Sequence, residues 1–422
     1  MSLERFNAAL EHDVQELVAS GRGKAPERVI VDYLHPKAPY GPRYKLDGHD
    51  QEFIRMNSNS YLSLSHHPDV LAAVDEATHR FGAGPGAVRF IDGTFSAHVE
   101  LEDRIAAFCG RPAAKIFNSA YTTNLGLALS IQNKKTFWIG DELNHNCIIR
   151  AMRIANVPRT HKAIFKHNNM DELKAAIENV PEGIERVVVI FDGVFSMRGD
   201  HAPIAQINEI LAPHRERFVQ GLITVVDDSH GIGAYGITGR GTEEICGAQV
   251  DVVVGTFGKA FGVNGGFVAS SHAIIEAIRQ KADTYIYTNP LSVADCAAAK
   301  VAVDITDSPE GINRLAHVQD RIAQFRKGLA ALGLETIPGE HPVVPLMVRD
   351  TEKTRWMVEE FYRRGVLVVG LNFPVVPKGD QSIRFQINAA HTEKDIAYVL
   401  DVLQQMKSQG VKFYPLGTQK NP

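Results

Sequence analysis

Six short apolar runs constrain this chain more than any other feature: "AKIF" at 114–117, "TFWIG" at 136–140, "AIF" at 163–165, "RVVVIFD" at 186–192, "LITVVDD" at 222–228 and "DVVVG" at 251–255. Each is too short for an ordinary helix and too continuously apolar for a strand with one wet face. Strands buried on both sides are therefore expected. Stretches with helical spacing separate them: Val70, Leu71, Val74 and Ala77 share a face of "DVLAAVDEATHRF", and Leu101, Ile105 and Phe108 share one of "HVELEDRIAAF". Strands alternating with helices predict an α/β fold built on a large, mostly parallel sheet.

After about residue 300 the pattern changes. "PVVPLMV", the helix-like "EKTRWMVEEFYRRG", "VLVV", "SIRFQIN" and "TEKDIAYVLDVLQQM", the last opened by a Thr392/Asp395 cap, predict a smaller α+β lobe. The N-terminal "MSLERFNAALEHDVQELV" predicts an amphipathic helix, and the Pro/Gly-rich stretch at 36–49 a linker. The expected organisation is 1–58 as helix and linker, 59–300 as the large domain and 301–422 as the small domain.

Charge and cysteine usage remove several function classes. A net charge of -4 with scattered basic residues leaves no footprint for nucleic acid or an anionic membrane. No apolar stretch approaches the roughly 20 residues of a transmembrane segment. Cys109, Cys147, Cys246 and Cys296 are too widely spaced for a disulfide framework or a zinc site, which points to packing roles and a reducing compartment. The acidic N-terminus lacks an apolar signal core, so a cytoplasmic protein with small-molecule partners is expected.

Ligands of parallel α/β sheets bind at the carboxyl ends of the strands, and here those ends carry chemistry. "NSAYTTN", "DELNHN", "DGVFSM", "DDSHGIG" and "TFGKAFG" follow successive runs. "VVDDSH" places carboxylates beside a buried strand, where they need a cation or hydrogen bonds. A structural salt bridge would satisfy them; so would a cofactor, with Asp227 facing a cationic nitrogen and His230 a phenolate oxygen. Lys259, between Gly258 and Gly262, is either a solvated charge or an enclosed amine made nucleophilic by loss of its proton. A carboxylate at one strand end and a glycine-flanked lysine some 30 residues later is the arrangement expected for pyridoxal 5'-phosphate. The lysine would form a Schiff base and the carboxylate would pair with the pyridinium. The glycine-rich "GAGPGAVRFIDG" at 82–93 matches neither nucleotide motif and reads as a mobile turn lining a pocket.

Taken in order, "NSNSYLSLSHHPDV", "GDELNHNCII", "FDGVFSMRGD", "VVDDSHGIGAYGITGRG", "GTFGKAFGVNGGF" and "NFPVVPKGDQSIRFQINAAHT" resemble the α-oxoamine synthases, fold-type I pyridoxal-phosphate enzymes. These condense an amino acid with an acyl-CoA, and the resemblance spans nearly the whole chain. It implies that Lys259 carries the cofactor, Asp227 pairs with its ring nitrogen, His230 contacts its hydroxyl, His145 stacks on the ring and Ser196 lies near the ring oxygen. It further implies a phosphate site from Ser119, Ala120, Tyr121 and Thr256, with Thr288 reaching in from the second subunit of a homodimer with shared active sites. Asn59 and Arg384 would hold the substrate carboxylate; a lobe-to-lobe salt bridge is the structural alternative for Arg384. The implied activity is acyl transfer from CoA to glycine or another small amino acid. An aminotransferase would use the same lysine and aspartate.

Overall fold

The computed structural model describes residues 2–373 and 375–410. Seven strands form the central sheet: β4 (Ala113–Phe117), β5 (Thr136–Asp141), β6 (Lys162–Phe165), β7 (Arg186–Asp192), β8 (Leu222–Asp227), β9 (Val252–Thr256) and β10 (Gly266–Ser270). Before them come β1 (Ile30–Leu34), β2 (Arg43–Leu46) and β3 (Glu52–Arg55), and after them β11 (Val343–Met347), β12 (Val366–Leu367), β13 (Val369–Leu371) and β14 (Ser382–Gln386). The central order is β4-β10-β9-β8-β7-β5-β6, parallel except for β10, which runs against both its neighbours.

The period-two geometry of a strand explains why these runs are apolar throughout. In β7, Val187, Val189 and Phe191 enter the core on one face of the sheet, while Val188 and Ile190 enter the core on the other. Helix Ala120–Ile131 packs on the second face through Leu125, Leu127 and Ala128; Leu101, Ile105 and Phe108 of helix Ser96–Phe108 pack on the first. The fold is thus the expected α/β sandwich, with one strand unforeseen. β10 is five residues long and opens on a glycine, so it offered too little apolar length to read as a strand.

The C-terminal region forms its own core around a three-stranded sheet, β11-β14-β13, with helices Pro309–Ala331, Thr351–Arg363 and Glu393–Ser408. Ile54 and Met56 join that core from the N-terminal side. The stretch 36–49, read as a linker, contains β2, which pairs with β1 and β3 in a second small sheet. "VLVV" is divided between two sheets: β12 lies parallel to β3, and β13 antiparallel to β14. The N-terminal helix Ser2–Ala19 forms as its pattern predicts and buries none of its residues against the rest of the chain.

The loop 82–93 is anchored through one of its residues. Arg89 is buried and donates to both carboxylate oxygens of Glu102, at 3.0 and 3.3 Å, and to Thr94 Oγ1 at 3.0 Å. A charged group so enclosed needs such pairing, and the pair ties the loop to helix Ser96–Phe108. Leu71, expected on the buried helix face, is 47% exposed, whereas Val70 and Ala77 are buried as foreseen.

One close approach sets the geometry of the sheet's catalytic edge. A Cβ built on Gly266 would lie 2.3 Å from the backbone nitrogen of Ala120 and 2.3 Å from the carbonyl carbon of Ser119. Only glycine lets β10 lie against the start of that helix. Gly266→Ala is expected to destabilise the protein by about 1–3 kcal/mol through overpacking, measured as a lower midpoint in chemical denaturation; an unchanged midpoint contradicts the contact.

Candidate active site

The carboxyl ends of five strands deliver side chains to one cavity. β4 leads into helix Ala120–Ile131, β5 to His145, β7 to Asp192 and Ser196, β8 to Asp227 and His230, and β9 to Lys259. Ala120, Tyr121, His145, Ser196, Asp227, His230 and Lys259, all expected from the sequence, line this single space. Cys147, Asp192, Val194 and Ser229 line it as well.

Asp227 is buried and hydrogen-bonded rather than salt-bridged. Its Oδ2 accepts from Asn124 Nδ2 at 2.7 Å and from Cys147 Sγ at 3.6 Å, and its Oδ1 accepts from the Ser229 N–H at 3.1 Å. Its neighbour Asp228 has the structural role: it accepts from the backbone and hydroxyl of Thr242 at 2.8 and 2.6 Å. Burial raises Asp228 to about 7, so the two adjacent carboxyls differ in surroundings and in task.

Asp192 sits directly across from Asp227 in the β7–β8 ladder. Its Oδ2 accepts from the His145 N–H at 3.0 Å, and its buried Oδ1 has no partner among the described residues. Burial and then the charge of Asp227 push its pKa well above the ordinary carboxyl value, which favours the protonated acid.

Lys259 faces both carboxyls. Burial lowers its pKa to about 8, with Asp227 and Asp192 opposing the shift. A fraction of neutral amine is therefore present near neutral pH, as a nucleophile or base needs. Burial holds His230 well below the usual imidazole range, with Lys259 adding to the effect, so its ring is neutral; desolvation at the cavity wall lowers His145 too, though that residue is exposed on its other side. His145 is the N-cap of helix Asn146–Ile154 and accepts from the Cys147 N–H through Nδ1. His230 Nδ1 lies 2.8 Å from the hydroxyl of the fully buried Tyr61, which is 3.4 Å from Asn59 Oδ1.

Five expected residues stand outside the cavity lining. Ser119 caps helix Ala120–Ile131 by a reciprocal bond with Thr122, leaving the Ala120 and Tyr121 N–H groups without partners among the described residues. Thr256 donates its hydroxyl to Gly265 O at 2.9 Å rather than to the cavity. Thr288 follows the short helix Asp283–Ile286 and is half-buried. Asn59 Oδ1 accepts from Gln386 Nε2. Arg384 donates to Ser196 O at 2.9 Å, leaves its Nε buried and unpartnered, and forms no salt bridge among the described residues.

Gly262, beyond Lys259, is required by the backbone as well. Its φ of 73° is left-handed, and a Cβ there would meet Ser65 N at 2.7 Å. Asn124, Cys147, Asp192, Ser229 and Tyr61 were missed. Asp192 had a legible signal, since it ends β7 as Asp227 ends β8; the others reach the site through helix turns and long-range packing that local pattern does not encode.

The residues present fit a pyridoxal-phosphate group. Unpartnered N–H groups at a helix start suit a phosphate; a buried carboxylate, neutral imidazoles and a lysine with depressed pKa surround the adjoining space; and Asp192 Oδ1, Ser229 Oγ and Arg384 Nε are buried polar atoms awaiting partners. Fold and site together define a fold-type I pyridoxal-phosphate enzyme. Residues 51–403 match the profile of the aminotransferase class I and II family. The mitochondrial 2-amino-3-ketobutyrate coenzyme A ligase of Bos taurus is 34% identical over 398 residues, covering 94% of this chain and 90% of that protein. The 8-amino-7-oxononanoate synthase of Cellvibrio japonicus is 36% identical over 373 residues, covering 88% and 90%. A high-resolution SPT structure with PLP superposes with a TM-score of 0.83 at 28% identity, covering 97% of this chain and 99% of that one. Sphingomonas wittichii serine palmitoyltransferase gives 0.82 at 25% identity, covering 97% and 98%. The chain belongs to the aminotransferase class I and II family and, within it, to the α-oxoamine synthases.

Below pH 8 the Lys259 ammonium has no lone pair, and above it the amine does. Uptake of pyridoxal 5'-phosphate by cofactor-free protein, followed by absorbance, is therefore expected to accelerate with pH and level off above about 8. A flat profile between pH 6.5 and 9, or equal uptake by Lys259→Ala, contradicts the assignment.

Proposed function

We propose that this protein is a pyridoxal-phosphate-dependent acyl-CoA:amino acid C-acyltransferase, condensing glycine or another small amino acid with an acyl-CoA. The products are CoA and an α-amino ketone or β-keto amino acid. The carrying observation is the half-buried Lys259, its pKa lowered by desolvation to about 8, in a cavity lined by the carboxyls of Asp192 and Asp227, with an unsatisfied Arg384 Nε nearby. When bound, the cofactor supplies an aldehyde carbon to hold the amino acid and a ring that accepts the electrons released with its α-proton.

The chain's own residues then have defined tasks in this proposal. Asp227, held by Asn124 and the Ser229 N–H, keeps a negative charge where a protonated ring nitrogen needs one. Lys259 takes the α-proton at Nζ, and its low pKa lets it return that proton near neutral pH. Arg384, with Nε free and its opposite edge fixed on Ser196 O, receives the substrate carboxylate, while Gln386 orients Asn59 nearby. Ala120 and Tyr121 hold the phosphate through their N–H groups. The enclosed walls limit water at the reacting carbon.

In the same proposal a second copy completes the site. Segment 284–289 is held against the start of helix Ala120–Ile131, by Thr284 Oγ1 donating to Thr122 O at 2.8 Å and Asn118 Nδ2 donating to Asn289 O at 2.9 Å. Tyr121 is 41% and Tyr287 77% exposed, aromatic surface suited to an interface, which supports reading the adjacent Thr288 as a residue given to a neighbouring copy. The free thiols support a reducing compartment such as the cytoplasm.

Two measurements test the proposal. With a grid of amino acids and acyl-CoAs, release of CoA thiol is expected together with a condensed product of matching mass, and Asp227→Asn is expected to lower kcat by roughly 100-fold or more. Keto acid without thiol release indicates an aminotransferase instead, and near-normal turnover in Asp227→Asn contradicts its role. Analytical ultracentrifugation of the loaded protein is expected to give twice the chain mass; a monomer that turns over normally rules out shared sites.

A further inference from the structure

Beside the Lys259 cavity are two larger ones, of about 370 and 450 Å³. They share Arg55, Ser58, Ser60 and Ser65. The inner cavity reaches Asn59 and also Gly258 and Gly262, on either side of Lys259; the outer runs toward β1 and β2. These volumes fall in the range of small-molecule sites.

The charge on their walls is one-sided. No aspartate or glutamate lines the outer cavity, and the inner one has only Asp295, whose Oδ2 accepts from Ser292 Oγ at 2.6 Å. At the outer end Arg314 is already engaged: it and His67 converge on Glu310, at 2.7 and 3.2 Å. Arg55 is different. Half-buried at the junction of the two cavities, it forms no ion pair among the described residues, and its guanidinium rests 5.4 Å from the ring centroid of Tyr44. Tyr33, 5.5 Å from Tyr44, stacks on His66 at 3.6 Å and backs the same wall.

A guanidinium fixed over an aromatic ring among serine hydroxyls has its hydrogen-bonding fork open to a planar or tetrahedral anion. Asn57 adds a buried side-chain oxygen without a partner to the inner cavity, an acceptor for an amide N–H. The amino acid's carboxylate already has Arg384 in the proposed reaction, so this second cation serves the other substrate. We infer that the joined cavities are a recognition site for an anionic group of the acyl donor, anchored by Arg55: a carboxylate at the far end of the acyl chain, or a phosphate of CoA. This rests on the acyltransferase proposal for the choice of ligand, and its test is a binding measurement that needs no turnover.

The experiment is calorimetric titration of the pyridoxal-phosphate-loaded protein, without amino acid, in two pairs: glutaryl-CoA against butyryl-CoA, and CoA against pantetheine. In at least one pair the ligand with the additional anion is expected to bind about tenfold tighter or more, in keeping with a charge-assisted contact. Arg55→Gln is expected to abolish that difference and Arg55→Lys to restore part of it. A difference confined to the first pair identifies the carboxylate; one confined to the second identifies the phosphate. Equal binding within both pairs, or a difference that persists undiminished in Arg55→Gln, overturns the inference. If Arg55→Gln fails to fold, judged by circular dichroism, the wild-type pairs and Arg55→Lys decide: equal wild-type binding, or an unaltered preference in Arg55→Lys, overturns it. Absence of thiol release in the turnover assay counts against acyl transfer alone and leaves these binding outcomes separately readable.

Discussion

The site depends on how charge is confined at the ends of two neighbouring strands. Asp192 and Asp227 occupy paired positions in the β7–β8 ladder, close to the half-buried Lys259. Two ionised carboxylates and one ammonium would leave an uncompensated negative charge in a poorly solvated space. The arrangement resolves this by differentiating the acids. Asn124 and the Ser229 N–H stabilise Asp227, whereas Asp192 has an oxygen with no donor and a raised pKa. The surroundings thus treat two residues of one type differently: Asp227 has donors on both oxygens, whereas Asp192 is favoured as the protonated acid.

That differentiation requires a rigid frame, and the packing supplies it. The apolar runs bury both faces of the sheet, which fixes where each strand ends and hence where each functional side chain begins. Asp228 secures the turn after β8 through Thr242, and Gly266 brings the start of helix Ala120–Ile131 against β10. The unpartnered amides of Ala120 and Tyr121, the carboxyls and the lysine are therefore positioned by one sheet. Loop 82–93 is restrained in the same way, by Arg89 on Glu102.

Much of this was legible in the sequence because it is local. Strands buried on both faces appear as unbroken apolar runs, and residues just beyond a run lie at the ligand end of the sheet; His145, Asp227 and Lys259, singled out by position as well as by type, do line one cavity. What escaped is long-range. Tyr61 meets His230 across 169 residues, Asn124 reaches Asp227 from another element, and "VLVV" divides between sheets because its two halves find different partners. Composition misled at 36–49, where prolines and glycines surround a real strand, and at 82–93, where glycines masked a buried ion pair.

The same contrast explains why chemistry is easier to identify here than substrate. Reaction groups come from the central sheet, whereas the groups suited to choosing a substrate come from the junction with the small lobe. Arg384 and Gln386 belong to β14, Asn59 and Tyr61 to the segment after β3, and His341 binds the His230 carbonyl from the far side at 2.9 Å. At Ser63 this junction holds a left-handed φ of 54°, with the hydroxyl bonded to Asn388 and accepting from the Ala390 N–H. Changes in how the lobes meet would alter the substrate end without moving Lys259 or Asp227. A strand-end motif can therefore carry the reaction class, whereas contacts such as Arg55 over Tyr44 arise only when distant segments are brought together and leave no local pattern to read.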